Sequence, residues 1–73
     1  MTFDKVAKIL ADYRDMEVDQ IEMNSKFDDL GLDSLDMVDL VMLLETEFDI
    51  EIEIDEKLET VADLVELIDS IRE

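Results

Sequence analysis

The sequence contains no cysteine, no histidine, no proline and no tryptophan, and it has a single glycine and a single tyrosine. Without cysteine there is no disulfide framework, no thiolate metal ligand and no thiol nucleophile. Without histidine there is no imidazole base and no zinc site of the usual kind. The side chains are a poor kit for catalysis, so any thiol chemistry must arrive on a group attached to the chain. Basic residues are scarce as well: 6 against 23 acidic ones, a formal net charge of −17. Phosphate repulsion excludes nucleic acid and anionic membrane surfaces as direct partners and points to basic proteins instead. Attraction to such partners raises association rates and weakens with salt. The same charge opposes compaction, which makes the fold sensitive to ionic strength.

Long apolar runs are also missing. No stretch approaches the roughly 18 uninterrupted apolar residues of a membrane span. Met1-Thr2-Phe3-Asp4-Lys5 lacks the basic segment and apolar run of a signal peptide. A cytoplasmic protein is the default, and an organellar origin after removal of a transit peptide stays open. The 73 residues allow one domain, residues 1–73. A chain of this size buries only about 60% of its unfolded surface, so the core is small.

What the sequence does have is periodic hydrophobicity, with 48% of its residues apolar. Phe3, Val6, Ala7 and Leu10 recur at helical spacing, predicting a first helix capped by Thr2 and ending near Tyr13-Arg14, with Ile9 and Tyr13 alongside. A long connection follows, from about Asp15 to Asp33. Its Met16, Val18, Ile21 and Met23 are expected to pin it across the helix ends. Short helical turns are expected at Asp19-Gln20-Ile21 and at Ser25 to Leu30, the second capped by Ser25 and stopped by Gly31. A main helix is predicted from Ser34 to Phe48. Beyond it, Asp49-Ile50-Glu51-Ile52-Glu53-Ile54-Asp55 alternates like a strand, but no second run is available to pair with it. It is read as an extended link into a short helical turn at about Asp55 to Leu58. Thr60, with Asp63 three residues on, caps a last helix whose apolar stripe is Val61, Leu64, Val65, Ile68 and Ile71. The expected fold is all-α: a small four-helix bundle of three longer helices and one short helix, with a long loop between helices 1 and 2.

The stretch that organises the rest is Leu30-Gly31-Leu32-Asp33-Ser34-Leu35-Asp36-Met37-Val38-Asp39-Leu40. Gly31 suits a positive-φ stop. Asp33 and Ser34 are both N-cap residue types. The helix after them carries two apolar stripes. Met37, Leu40, Val41, Leu44 and Phe48 form the one a bundle would bury. Leu35, Val38 and Met42 lie on roughly the opposite side, and Asp36, Asp39, Glu45 and Glu47 lie between or beside the two stripes. Spacing alone leaves open whether this second stripe also reaches the core or forms a docking patch with an acidic rim. For Ser34 a plain helix cap is the commoner meaning of serine at such a position and stands ahead on physical grounds; the other reading is a phosphate-bearing site at a helix N-terminus. The acidic runs Asp28-Asp29 and Glu51-Glu53-Asp55-Glu56 lack EF-hand spacing and read as solvated surface, so no metal site is expected.

Leu30-Gly31-Leu32-Asp33-Ser34-Leu35-Asp36, continued by Val38-Asp39-Leu40-Val41-Met42 and by Glu45-Thr46-Glu47-Phe48-Asp49, closely resembles the prosthetic-group attachment motif of acyl carrier proteins. Phe27 and the Thr60-Val61 pair match family positions too, so the resemblance runs the length of the chain. It is greatest to the discrete carriers of type II fatty acid synthesis. It implies that Ser34 carries a covalent 4′-phosphopantetheine arm derived from coenzyme A, installed by a phosphopantetheinyl transferase that supplies the base and the metal. It implies a partner surface of Asp33, Leu35, Asp36, Val38, Asp39, Met42 and Glu45 for that transferase and for basic patches on acyltransferases and ketoacyl synthases. It implies an acyl pocket among Phe27, Leu40, Leu44, Phe48, Ile52, Val61, Leu64 and Ile68. The chain would then be a monomeric carrier of growing acyl chains, a substrate of enzymes and not an enzyme. Glu53-Ile54 stands where many members have a proline, and Thr46 where glutamate is common, which bears on partner choice. Two alternatives remain: a specialised carrier for polyketide, peptide or other acyl-transfer pathways, and an acidic adaptor in which Ser34 is only a helix cap.

Overall fold

The computed structural model describes residues 1–53 and 58–72. Among them are three α-helices: α1 (Thr2–Arg14), α2 (Ser34–Phe48) and α3 (Val61–Arg72), with one 3₁₀ turn at Val18–Gln20 between α1 and α2. No strand occurs among the described residues; the sole ladder pairing is an isolated antiparallel bridge between Lys26 and Thr60. The expected short helix near Asp55 to Leu58 lies almost wholly outside the described residues. The described residues therefore form an all-α arrangement of three helices.

α1 is the hub. It packs against both α2 and α3, whereas among the described residues no Cα of α2 comes within 8 Å of one in α3. Side chains from all three helices meet in the core. Leu10 and Val6 from α1, Leu40 and Leu44 from α2, and Val61, Leu64 and Ile68 from α3 are completely buried there. The predicted stripes of α2 and α3 thus face inward as far as Val41, Leu44, Val65 and Ile68. Ile71 does not follow, because the last turn of α3 runs past the core and leaves it exposed.

Several local expectations need correction. Thr2 is the first residue of α1 rather than its cap; Met1 holds the cap position with no side-chain bond, and the Thr2 hydroxyl donates instead to Asp69 Oδ1 on α3. Of the four loop residues expected to pin the connection, Ile21 is buried and Met16 half-buried against the core, but Val18 and Met23 are exposed. The Ser25 hydroxyl accepts from the Glu22 N–H and does not cap the turn after it. Backbone bonds secure the loop instead. Phe27 N–H donates to Glu59 O at 2.9 Å, and the first N–H groups of α3, those of Val61 and Ala62, donate to Ser25 O and Met23 O at 3.0 and 2.8 Å. The loop satisfies donors that a helix N-terminus would otherwise leave unpaired.

The remaining ends are closed as their residue types suggest. Thr60 Oγ1 accepts from Asp63 N–H, and Asp63 Oδ2 accepts from the N–H groups of Thr60 and Glu59. These two backbone donors hold the Asp63 carboxyl below the ordinary aspartate value. Asp15 and Asp49 end α1 and α2 in the left-handed region, both at φ 55°. In the link after α2, Ile52 is buried and its N–H is accepted by Glu45 Oε2 at 3.0 Å, so this lone extended segment keeps its donor satisfied without a partner strand.

Candidate functional site

The site is built from a stop and a start placed back to back. Leu32 N–H donates to Phe27 O at 3.0 Å, and Gly31 N–H donates to Asp28 O at 3.1 Å. With Gly31 at φ +80°, these two bonds make a complete Schellman closure of the turn that begins at Phe27. Phe27 and Leu32 are both buried, so the turn is anchored to the core on either side of the glycine. Two residues later α2 begins. Asp33 is its N-cap in extended conformation: its carboxylate accepts from Asp36 N–H at 2.9 Å, and Asp36 Oδ2 accepts from Asp33 N–H at 3.2 Å. Both halves of a capping box are present.

This arrangement separates the two cap candidates. Asp33 caps the helix; Ser34 is its first helical residue, exposed, with its hydroxyl in no hydrogen bond among the described residues. The first N–H groups of a helix lack an i−4 carbonyl and carry the positive end of the dipole. Beside Ser34 opens a cavity of about 400 Å³ lined by Lys26, Phe27, Leu32, Met37 and Leu58, with Asp28, Asp33 and Glu59 around it. An exposed hydroxyl, a helix N-terminus, a neighbouring lysine and a partly apolar groove fit a phosphate-linked arm.

α1 reaches the site through its last two residues. Tyr13 Oη donates toward Asp36 Oδ1 at 3.0 Å and Asp39 Oδ2 at 3.1 Å. Arg14 Nε donates to Leu30 O at 3.2 Å, and its guanidinium lies over Gly31, where an added Cβ would meet Nη2 at 2.8 Å. Desolvation, then the two carboxylates, push the Tyr13 phenol up to about 12. The Asp33 N–H, followed by the Tyr13 hydroxyl, holds the Asp36 carboxyl below its ordinary value.

The second apolar stripe of α2 faces away from the core. Leu35 is 77% exposed, and Val38 and Met42 are exposed as well. Leu43, absent from the sequence-based surface, is 47% exposed on another side of α2, in a groove with Ile9, Asp12 and Tyr13 of α1. Asp33 and Asp39 are exposed, and Asp36 is half-exposed toward α1, where Tyr13 meets it. Glu45 differs: it is half-buried and committed to Ile52 N–H, so it is less free than its place on the wheel suggested. Of the eight residues expected around an acyl chain, seven are buried in the common core. Phe48 is half-buried, with the Lys5 ammonium and the Arg72 guanidinium 5.6 and 5.0 Å from its ring centroid. Of the eight, only Phe27 lines the cavity beside Ser34. Leu32, Met37 and Leu58 were missed as lining residues; Met37 belongs to the inward stripe of α2, and its place in the first turn after Ser34 was the available signal. No group of three carboxylates close enough to hold a metal ion occurs among the described residues, and no helix there is long and apolar enough to cross a membrane.

Comparison with known proteins covers nearly the whole chain. The family model described as phosphopantetheine attachment site matches residues 4–68. A protein of Clostridium acetobutylicum named Acyl carrier protein is 51% identical over 71 residues, covering 93% of this chain and 92% of that one. A protein of the same name from Clostridium perfringens is 51% identical over 69 residues, covering 90% of this chain and 91% of its own length.

Proposed function

The chain belongs to the acyl carrier family defined by a phosphopantetheine attachment site, and from that premise we propose that Ser34 is the residue that bears the arm. The observation that carries this assignment is the division of labour at the start of α2. Asp33 does the capping, which leaves the Ser34 hydroxyl exposed at the helix N-terminus and without a hydrogen bond among the described residues. A phosphodiester on Ser34 Oγ would have the first-turn N–H groups and the positive end of the α2 dipole behind it. Lys26 lines the groove alongside. Once attached, the arm supplies the thiol that holds acyl groups as thioesters, chemistry for which the chain has no side chain of its own.

On this reading residues 1–73 act as one carrier domain, a cytoplasmic monomer and not a catalyst, and the pathway served is fatty acid synthesis. The assignment of the pathway rests on the likeness of the Leu30 to Leu40 run to the discrete carriers. Leu35, Val38 and Met42 form the apolar centre of the dock for the transferase, acyltransferases and ketoacyl synthases. Asp33, Asp36 and Asp39 rim it and set encounter rate and orientation. Glu45 contributes less, being held by Ile52. Leu40, Leu44, Val61, Leu64 and Ile68 separate to admit an acyl chain between α2 and α3, which have no Cα atoms within 8 Å of each other. Phe27 stands at the entrance, and Phe48 and Ile52 at the far side.

The test is intact mass before and after incubation with coenzyme A, Mg²⁺ and a broad-specificity phosphopantetheinyl transferase. Wild type should gain one phosphopantetheine and Ser34→Ala none. A folded, initially unmodified wild-type chain that gains nothing would overturn the assignment.

A further inference from the structure

The site described above includes a residue that neither the helix cap nor the attachment chemistry requires. Tyr13, the sole tyrosine, sits at the end of α1, 23 and 26 residues before the two carboxylates its hydroxyl meets. A phenol has one proton to donate. Asp36 and Asp39 each place one carboxylate oxygen within reach of it, at 3.0 and 3.1 Å, so the single O–H is shared between them. The two aspartates are three apart on one helix, where like charges repel. A shared donor offsets that repulsion and fixes the pair at a set separation. Both lie on the side of α2 that faces α1, where Asp39 stays exposed and Asp36 half-exposed.

We propose that Tyr13 is a positioning residue that presents Asp36 and Asp39 as one preformed, paired carboxylate unit to the cationic surface that docks at Ser34. The proposal rests on the carrier reading. Its content is that α1, which offers no exposed part of the attachment motif, sets how tightly partners engage α2. Asp36 is also held through Oδ2 by the Asp33 N–H, so the phenol adds a second hold there and fixes Asp39: a partner meeting a free Asp39 side chain must order it on binding, whereas one meeting the pair held by Tyr13 does not. Arg14 supports the same end of α1 by holding Leu30 O on the other side of Ser34. The serine is therefore bracketed by contacts from two consecutive α1 residues.

The experiment is steady-state loading of Ser34 by the transferase with coenzyme A and Mg²⁺. It compares wild type, Tyr13→Phe, Asp36→Asn/Asp39→Asn, and the triple variant. Tyr13→Phe should raise KM for the carrier about threefold to tenfold at unchanged kcat, the range expected for ordering one or two side chains. In the background lacking both carboxylates, the Tyr13 substitution should have no further effect on KM. A purely structural role would persist in that background. An unchanged KM in Tyr13→Phe, or an equal effect in both backgrounds, overturns the proposal while leaving the carrier reading intact. Failure of wild type to load overturns the carrier reading itself. A measurement on the wild-type chain needs no variant to fold: the carboxyl carbon resonances of Asp36 and Asp39 should both shift with one midpoint as the Tyr13 phenol is deprotonated. Absence of that response at either residue refutes the shared pairing.

Discussion

Replacing Asp33 and Ser34 one at a time separates two adjacent residues with similar sequence credentials. Asp33→Ala removes the acceptor of the 2.9 Å bond from Asp36 N–H and leaves a first-turn donor without its cap. Loss of such a cap costs about 1 kcal/mol, within a range of about 0.5–2. For a domain of this length each kcal/mol moves the thermal midpoint by roughly 4–8 °C. The substitution also removes one negative charge from a chain at −17, which relieves repulsion and works the other way. Asp33→Asn isolates that effect, since asparagine caps about as well as aspartate. The difference between Asp33→Ala and Asp33→Asn should therefore be a midpoint lower by about 4–8 °C in the alanine variant. Ser34→Ala should differ little from wild type, because the Ser34 hydroxyl makes no bond among the described residues and alanine is the better helix former. Thermal unfolding by circular dichroism at fixed salt reads all three. If Ser34→Ala falls as far as Asp33→Ala, the serine is carrying the cap and the assignment of roles at this helix start is wrong.

Three further outcomes follow from the same geometry. Gly31→Ala should destabilise by about 1–2 kcal/mol in urea titration, the cost of placing a side chain in the left-handed region. It should also displace Arg14, whose Nη2 lies 2.8 Å from the new Cβ; a wild-type midpoint would contradict the Schellman closure. Leu44→Ala, at a site with no solvent exposure, should cost about 2–5 kcal/mol, and a loss below about 1 kcal/mol would show an interior that collapses freely around the gap. In alkaline titration followed by phenolate absorbance, the lone tyrosine should show its midpoint near 12, falling in Asp36→Asn/Asp39→Asn. Because the folded value is raised, the stability Tyr13 contributes is complete below the free-phenol value of about 10 and lost as pH climbs through about 12. A midpoint near 10 in the wild type would refute the pairing with the two carboxylates.

Much of this protein is legible in short stretches of sequence because the interactions concerned close within one or two helical turns. The Gly31 stop, the Asp33 and Thr60 starts and the ends of α1 and α2 at Arg14 and Phe48 all depend on residues no more than five apart. The inward stripe of Leu40, Val41 and Leu44 follows from the 3.6-residue period, and the attachment motif is contiguous. Spacing could not choose between Asp33 and Ser34 as the cap, since both side chains can accept the same kind of bond. Only the backbone conformation at Asp33, extended at φ −103° and ψ −173°, decides it.

The remaining decisions required the helices to meet. A second apolar stripe on α2 has no fate until its neighbours are placed. With α1 and α3 both on the other side, Leu35, Val38 and Met42 are left exposed. Val18, Met23 and Ile71 are apolar yet exposed for the same reason: periodicity marks a residue as buriable, and only a neighbour buries it. Thr2 gave up its expected cap role to a bond with Asp69, 67 residues away. Glu45 turned toward Ile52, and α3 found its first acceptors on the carbonyls of Met23 and Ser25. Tyr13 met Asp36 and Asp39 across the α1–α2 contact. The sequence by itself determined where the helices begin and end, which stripe could be buried, and that a serine opens α2 in an acidic frame. The tertiary structure alone decided which carboxylates are free, which are held, and what holds them. Those outcomes depend on distances between segments far apart in the chain, and no local periodicity encodes such distances.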